Sequence, residues 1–181
     1  MKVKYVLLSI IFVLVLAAAF LGYRLLTTIY SPEDTVEVSI QADAAPDFTV
    51  YDEDNNPVTL SEKIGTPIVL NFWATWCGPC QMEMPYFDAM ARKYDGEISF
   101  MMINLTDGQR DTVSGVKEFI KESGYSFPVY YDTTMAAAYA YSAYSIPLTV
   151  LIRPDGTVMT SHTGAMDENT LQNYLEKLLE E

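Results

Sequence analysis

The sequence has little cysteine. Its 181 residues include two, Cys77 and Cys80, which are separated by two residues. A disulfide-rich scaffold needs several cysteines distributed along the chain, so the sequence excludes that class of protein. These two thiols are left to react with each other or with the thiols of another protein.

Histidine is scarcer still, because His162 is the only one in the chain. A tetrahedral zinc site takes about four ligands, and one histidine with two cysteines cannot supply them. We therefore expect no metal and no other cofactor, and we expect His162 on the surface after the last strand. A peroxiredoxin pattern, Pro-x-x-x-Thr-x-x-Cys, is also absent, since Ala74 and Cys77 occupy the threonine position before Cys77 and Cys80, respectively.

Basic residues are few, with 11 against 24 acidic residues and a formal net charge of −13. Nucleic acid attracts proteins through clustered lysine and arginine, so we expect no nucleic-acid partner. The acidic excess is typical of a soluble, well-hydrated surface.

One long uncharged run lies near the amino terminus, at residues 5–23. About 19 helical residues span the hydrocarbon core of a bilayer. Lys2 and Lys4 precede the run, whereas all 24 acidic residues follow it, so the positive-inside rule places the amino terminus in the cytoplasm. We predict a cytoplasmic terminus at 1–4, a single-pass signal-anchor in the cell membrane at 5–23, a linker at 24–44 and an extracytoplasmic domain at 45–181.

A cleaved signal peptide is the alternative for this segment. Ala17 to Ala19 offer an A-x-A cleavage site after an apolar stretch of suitable length. The uncleaved anchor is favoured because Phe20 and Leu21 prolong the apolar run past that site. No cysteine stands near the end of the run, which excludes a lipoprotein anchor.

The rest of the chain alternates short apolar runs with amphipathic stretches. The pattern predicts strands at 48–51, 58–60, 68–73, 98–105, 128–131, 148–152 and 157–160, and helices at 78–94, 111–123, 134–141 and 167–180. Pro85 should kink the first of these helices. Such alternation indicates an α/β fold with a central mixed sheet flanked by helices, an amino-terminal β-hairpin and a second hairpin near the carboxyl end.

The two cysteines lie where a buried strand passes into a helix. Cys77 is then at the helix amino terminus, where unpaired backbone N–H groups and the helix dipole favour a thiolate. Cys80 lies one turn into the helix and should be less exposed. This arrangement predicts Cys77 as the nucleophile and Cys80 as the thiol that resolves a mixed disulfide.

Several motifs together resemble the TlpA/ResA-type thioredoxin-like proteins. They are Ala45-Pro46-Asp47-Phe48, the run from Val69 to Cys80 that ends in Trp76-Cys77-Gly78-Pro79-Cys80, then Glu83, Pro85, and Ser145-Ile146-Pro147. The resemblance implies a thioredoxin-like fold on a membrane-attached domain that exchanges disulfides with exported proteins, commonly as a reductant in cytochrome c maturation. It also implies that the segment between Leu105 and Tyr131 is a central insertion into the fold.

The resemblance assigns roles to further residues. Pro147 matches a proline with a cis peptide bond beside the cysteines, and Glu83 matches an acidic residue that opposes thiolate formation or exchanges a proton with Cys80. The alternative for Glu83 is an ordinary helix-surface glutamate. Trp76, Gly78, Pro79 and Ile146 would surround the redox pair.

Two positions depart from the expected pattern. Asn71 stands where ordinary thioredoxin has a buried aspartate, so proton transfer would fall to Glu83. Leu148 replaces the threonine that is common after the cis proline, which changes the shape of the substrate groove.

The combined prediction is a membrane-anchored thiol-disulfide oxidoreductase that reduces exported proteins and needs no cofactor. Gly78-Pro79 between the cysteines and Ile146 before Pro147 resemble reducing thioredoxins. The electrons that this oxidoreductase passes on would come from a membrane-embedded thiol carrier. A disulfide-forming oxidase and a redox-inactive peptide-binding adaptor are the alternatives.

Overall fold

The computed structural model describes residues 44–180 continuously, together with Lys4 and residues 14–17 and 20–23. The chain divides into two compact units, Met1–Gln41 and Ala42–Glu181. In the first unit, residues 14–17 and 20–23 are helical. No helix within the described part of the chain is long and apolar enough to cross a membrane. Most of the predicted anchor at 5–23, and all of the predicted linker at 24–44 except its last residue, lie outside the described residues.

The second unit contains a seven-stranded mixed sheet. Its strands are β1 (Thr49–Tyr51), β2 (Pro57–Thr59), β3 (Ile68–Trp73), β4 (Ser99–Asn104), β5 (Val129–Tyr131), β6 (Leu148–Ile152) and β7 (Val158–Thr163). They lie in the order β2-β1-β5-β4-β3-β6-β7. The β3–β4 and β4–β5 pairs are parallel, and the other pairs are antiparallel.

Among residues 44–180, four α-helices accompany the sheet: α1 (Gly78–Lys93), α2 (Val113–Ser123), α3 (Ala136–Ala140) and α4 (Glu168–Glu180). Helices α1, α2 and α4 contribute to one apolar core, and α3 contributes to the core on the other face of the sheet. The sequence-based prediction of a mixed sheet flanked by helices, with hairpins β1–β2 and β6–β7, is confirmed. Helix α2 and strand β5 occupy the segment predicted as an insertion.

Strand β3 contributes side chains to both apolar cores. All six of its residues are buried, and successive side chains point to opposite faces of the sheet. Val69 and Trp73 therefore pack with α1, α2 and α4, whereas Leu70 and Phe72 pack on the opposite face. Asn71 shares the face of Val69 and Trp73, and it is the one polar residue in this strand.

Local capping residues set several boundaries that the sequence pattern placed differently. Strand β2 ends at Thr59 because Thr59 and Glu62 form a capping box around the 3-10 helix Leu60–Lys63. Helix α2 begins at Val113, two residues later than predicted, because the Thr112 hydroxyl accepts the Gly115 N–H at 3.2 Å. Helix α1 includes Pro85, as the predicted range 78–94 does.

The last strand is longer than predicted and includes His162. Strand β7 continues to Thr163, so the placement of His162 after the final strand is wrong. His162 is half-buried, and its ring centroid lies 6.2 Å from that of Tyr174 on α4. The error arose because polar residues in the edge strand hide its period.

Candidate active site

The two cysteines lie between the end of β3 and the first turn of α1. They form a disulfide, and Cys77 is the N-cap of the helix, where its Sγ accepts the Cys80 N–H at 3.2 Å. Cys77 is 6% exposed and Cys80 is 1% exposed. After reduction, the helix amino terminus favours negative charge on the Cys77 sulfur.

The loop that carries the cysteines is anchored by Asp111. The Thr75 N–H donates to Asp111 Oδ2 at 2.9 Å, the Thr75 hydroxyl donates to Asp111 Oδ1, and Asn104 Nδ2 donates to Asp111 Oδ2 at 2.8 Å. Asp111 is buried, so these hydrogen bonds replace those that water would make. The sequence pattern placed Asp111 only at the start of a helix and gave no signal of this contact across 36 residues.

Trp76 lies on the surface next to Cys77. Its side chain is 44% exposed, and the Arg110 guanidinium lies 3.7 Å from its ring centroid, a distance typical of a cation–π contact. Arg110 Nε also donates to Asp107 Oδ2 at 3.3 Å. The adjoining Gly78 and Pro79 are exposed, and a Cβ on Gly78 would meet no atom within 4 Å.

Pro147 precedes β6 at the sheet edge where β3 ends. Leu148 pairs with Phe72 in the antiparallel β3–β6 register, which places Pro147 and Ile146 beside the cysteine-bearing loop. The Ile146–Pro147 peptide bond is cis, as the resemblance implies. Ile146 packs against the core cluster that contains both cysteines.

Glu83 lies one helical turn after Cys80 and is 1% exposed, so it is not a helix-surface glutamate. Its Oε1 accepts from Asn71 Nδ2 at 2.8 Å, and its Oε2 accepts from the Met166 N–H at 2.9 Å. Burial raises the pKa of the Glu83 carboxyl to about 7 from an ordinary 4.5, although both hydrogen bonds act to lower it.

Asn71 links Glu83 to strand β6. Asn71 and Thr149 are directly opposite in the β3–β6 register, and Asn71 Nδ2 donates to Thr149 Oγ1 at 3.1 Å. In the sequence, Asn71 stands out only as the position of a missing aspartate, and the pattern assigns no role to Thr149. A threonine within the apolar run 148–152 was the available signal, since a fully buried hydroxyl needs a partner.

Residues 40–178 of this chain match the Redoxin family. The chain belongs to the Redoxin family. It is 33% identical over 178 residues to the thiol-disulfide oxidoreductase ResA of Bacillus cereus (strain ATCC 10987 / NRS 248). The matched region covers 98% of this chain and 99% of that protein.

Solved structures similar to this redoxin share its fold. One is a candidate thiol:disulfide interchange protein DsbE from Chlorobium tepidum, with a TM-score of 0.68, 28% identity and coverage of 76% of this chain and 96% of that one. Another is a secreted disulfide oxidoreductase of Mycobacterium tuberculosis, with a TM-score of 0.64, 25% identity and coverage of 72% and 96%. This redoxin is therefore a TlpA/ResA-type thiol-disulfide oxidoreductase with a thioredoxin-like α/β fold.

The buried Glu83 makes the stability of the oxidised redoxin depend on pH. A carboxyl whose pKa is raised in the folded state stabilises the fold below its unfolded value, near 4.5, and this contribution is lost as the pH rises through about 7. The free energy of unfolding should therefore fall between pH 4.5 and pH 8, by at most roughly 3 kcal/mol from this group.

Urea unfolding of the oxidised protein at several pH values measures this effect. Glu83→Gln should flatten the dependence, because glutamine does not titrate. Burial also raises the pKa of Asp132, so the difference between wild type and Glu83→Gln isolates the contribution of Glu83. The same pH dependence in both proteins would contradict the prediction.

Proposed function

We propose that this redoxin is an extracytoplasmic reductase that transfers electrons from a membrane-embedded thiol carrier to disulfides of exported proteins. The observation that carries the proposal is the buried Glu83, one turn beyond Cys80 in the helix that Cys77 caps. Cytochrome c maturation and thiol repair are the processes in which such a reductant acts. The family membership and the Cys77–Cys80 disulfide favour this chemistry over a redox-inactive adaptor.

The proposed reaction has two thiol-disulfide exchanges. The Cys77 thiolate attacks one sulfur of the substrate disulfide, which forms a mixed disulfide and releases the other substrate sulfur as a thiolate. The Cys80 thiolate then attacks the Cys77 sulfur, which releases the second substrate thiolate and forms the Cys77–Cys80 bond. The substrate gains two electrons and, in total, two protons, and the redoxin loses the same number.

Glu83 is the proposed acceptor of the Cys80 proton. A general base is most effective when its pKa lies near the working pH, and burial places that of Glu83 at about 7. Cys80 is 1% exposed, so bulk water is a poor alternative acceptor. The proposed contact surface for substrates surrounds the pair and consists of Trp76, Gly78, Pro79, Ile146 and Pro147.

The direction of electron flow follows from the relative stability of the thiolate and the disulfide. A strong oxidant stabilises its reduced form through a low thiol pKa, whereas an ionised Glu83 beside the pair disfavours a further negative charge. We therefore expect an equilibrium potential near that of thioredoxin, about −270 mV, when the protein is titrated against dithiothreitol. A potential near about −120 mV, typical of the oxidase DsbA, would instead assign this redoxin to disulfide formation.

The proposed location rests on the uncharged run at 5–23 and on the two lysines before it. The similar Mycobacterium tuberculosis oxidoreductase is described as secreted, and the alignment with ResA covers 98% of this chain. An uncleaved anchor predicts that the full-length protein stays in the membrane pellet after an alkaline carbonate wash. A soluble product that begins at Phe20 would show that the run is a cleaved signal peptide.

A further inference from the structure

Both hydrogen bonds to the Glu83 carboxyl are donated to it. Met166 contributes a backbone N–H, which can only donate, and Asn71 contributes a side-chain N–H. This arrangement suits a carboxylate, because an ionised carboxyl only accepts. A carboxylic acid carries a hydrogen on one oxygen, and that oxygen then needs an acceptor.

Asn71 can provide such an acceptor without moving its backbone. Its amide carries a nitrogen donor and an oxygen acceptor of nearly equal size, and a half-turn about the last side-chain bond exchanges their positions. Thr149 can follow the exchange, because its hydroxyl both accepts and donates. The two residues lie opposite each other in adjacent strands and are buried.

We propose that Asn71 is a positioning residue whose amide turns with the protonation state of Glu83. When Glu83 is ionised, Asn71 Nδ2 donates to Glu83 and to Thr149, as the structure shows. When Glu83 is protonated, Asn71 Oδ1 accepts the Glu83 O–H and the Thr149 O–H. Met166 keeps its hydrogen bond to the other carboxyl oxygen in both states.

The inference rests on the proposed proton transfer between Cys80 and Glu83, because that transfer is what changes the protonation state. The proton leaves the Cys80 sulfur and binds Glu83 Oε1, and no electrons move in this step. An aspartate at position 71 would place a second negatively charged hydrogen-bond acceptor against an ionised Glu83. The amide gives each state of Glu83 a hydrogen-bonding partner.

Within residues 44–180, few other titratable groups lie near this network. His162 on β7 is directly opposite Thr149 in register, and Tyr174 of α4 lies against His162. Asp88, farther along α1, is held by Arg92 and Ser126. The charged residues of α4, which are Glu168, Glu176, Lys177 and Glu180, are exposed. His162 is therefore the residue that a control variant must replace.

Nuclear magnetic resonance of the full-length oxidised protein in detergent micelles tests the proposal. The readout is the cross-relaxation between the Asn71 side-chain N–H hydrogens and the Thr149 side chain. We expect a strong signal above the Glu83 titration midpoint and its loss below it, with the same midpoint as the Glu83 carboxyl carbon shift. His162→Gln should leave this behaviour in place. A signal of constant strength across the titration would overturn the proposal.

Glu83→Gln supplies a second measurement, because glutamine is a permanently neutral analogue of the protonated acid. Its amide oxygen can accept the Met166 N–H, which turns its donor toward Asn71. We expect the Asn71–Thr149 signal to be absent at every pH in this variant and unchanged in the exposed control Glu118→Gln. Persistence of the signal in Glu83→Gln would refute the turn of the amide. An oxidising potential would refute the proposed reductase function and leave this result standing.

Discussion

Cys80→Ser is expected to accumulate mixed disulfides with exported proteins, whereas Cys77→Ser is expected to form none. Cys77 caps α1 and is the more exposed of the two cysteines, so it is the sulfur that meets a substrate. Once Cys77 is joined to the substrate, the 1%-exposed Cys80 is the thiol one helical turn away that can release it. Without Cys80 the mixed disulfide has no internal route to resolution.

Both variants should also lose turnover by roughly 10³-fold or more, because residues that act as one catalytic unit do not substitute for each other. Turnover alone therefore does not distinguish their roles. Non-reducing electrophoresis of membranes from cells that express each variant makes the distinction, after rapid acid quenching of free thiols. The Cys77→Ser protein is the matched control, since it retains one thiol within the same motif. Equal trapping by the two variants would refute the assignment of roles.

Mass spectrometry of the trapped species would identify the partners. Exported proteins with paired cysteines support the proposed function. Cytoplasmic proteins alone would contradict the proposed placement of the domain outside the membrane.

The redox pair could be predicted from the sequence because every signal for it is local. Strand β3 is an unbroken apolar run, Pro79 lies in the first turn of α1, and the two cysteines lie three positions apart. A buried strand followed by a helix start places Cys77 at the helix amino terminus without reference to the rest of the chain.

The surroundings of the pair could not be predicted, because they depend on contacts between distant segments. Glu83 is held by the backbone of Met166, 83 positions later, and no periodicity in α1 reports that contact. Asp111 holds Thr75 across 36 positions, whereas the sequence pattern indicates only the start of a helix at Asp111. The resemblance to a known family gave Glu83 a role, and the tertiary structure is what buries it.

Glu83→Gln is expected to have two opposite effects on the thiols, and their combination distinguishes a proton acceptor from a purely structural residue. Removal of a negative neighbour should lower the pKa of the thiols, because an ionised carboxylate disfavours a second charge nearby. Resolution of the mixed disulfide should nevertheless slow by about 10²-fold or more, since proton transfer by a positioned group typically contributes 10²–10⁴-fold. A more acidic pair would thus turn over more slowly.

The pH profile gives the sign of the effect. In the wild type, the rate of resolution should rise with pH through about 7 as Glu83 loses its proton and becomes able to accept that of Cys80. In Glu83→Gln that rise should disappear, and the remaining dependence should follow the thiols alone. The thiolate ultraviolet absorbance reports the pKa, and rapid-mixing reduction of a small protein disulfide reports the rate.

Glu118→Gln is the matched control for this experiment, because it makes the same chemical change on the exposed surface of α2. It should leave both measurements as they are in the wild type. A Glu83→Gln protein with unchanged thiol titration and turnover would assign Glu83 to the fold alone. If turnover slows but the rate of resolution still rises with pH near 7, the proton acceptor is a group other than Glu83. The proposed mechanism therefore requires that the thiol pKa, the rate and its pH dependence all change in the one variant.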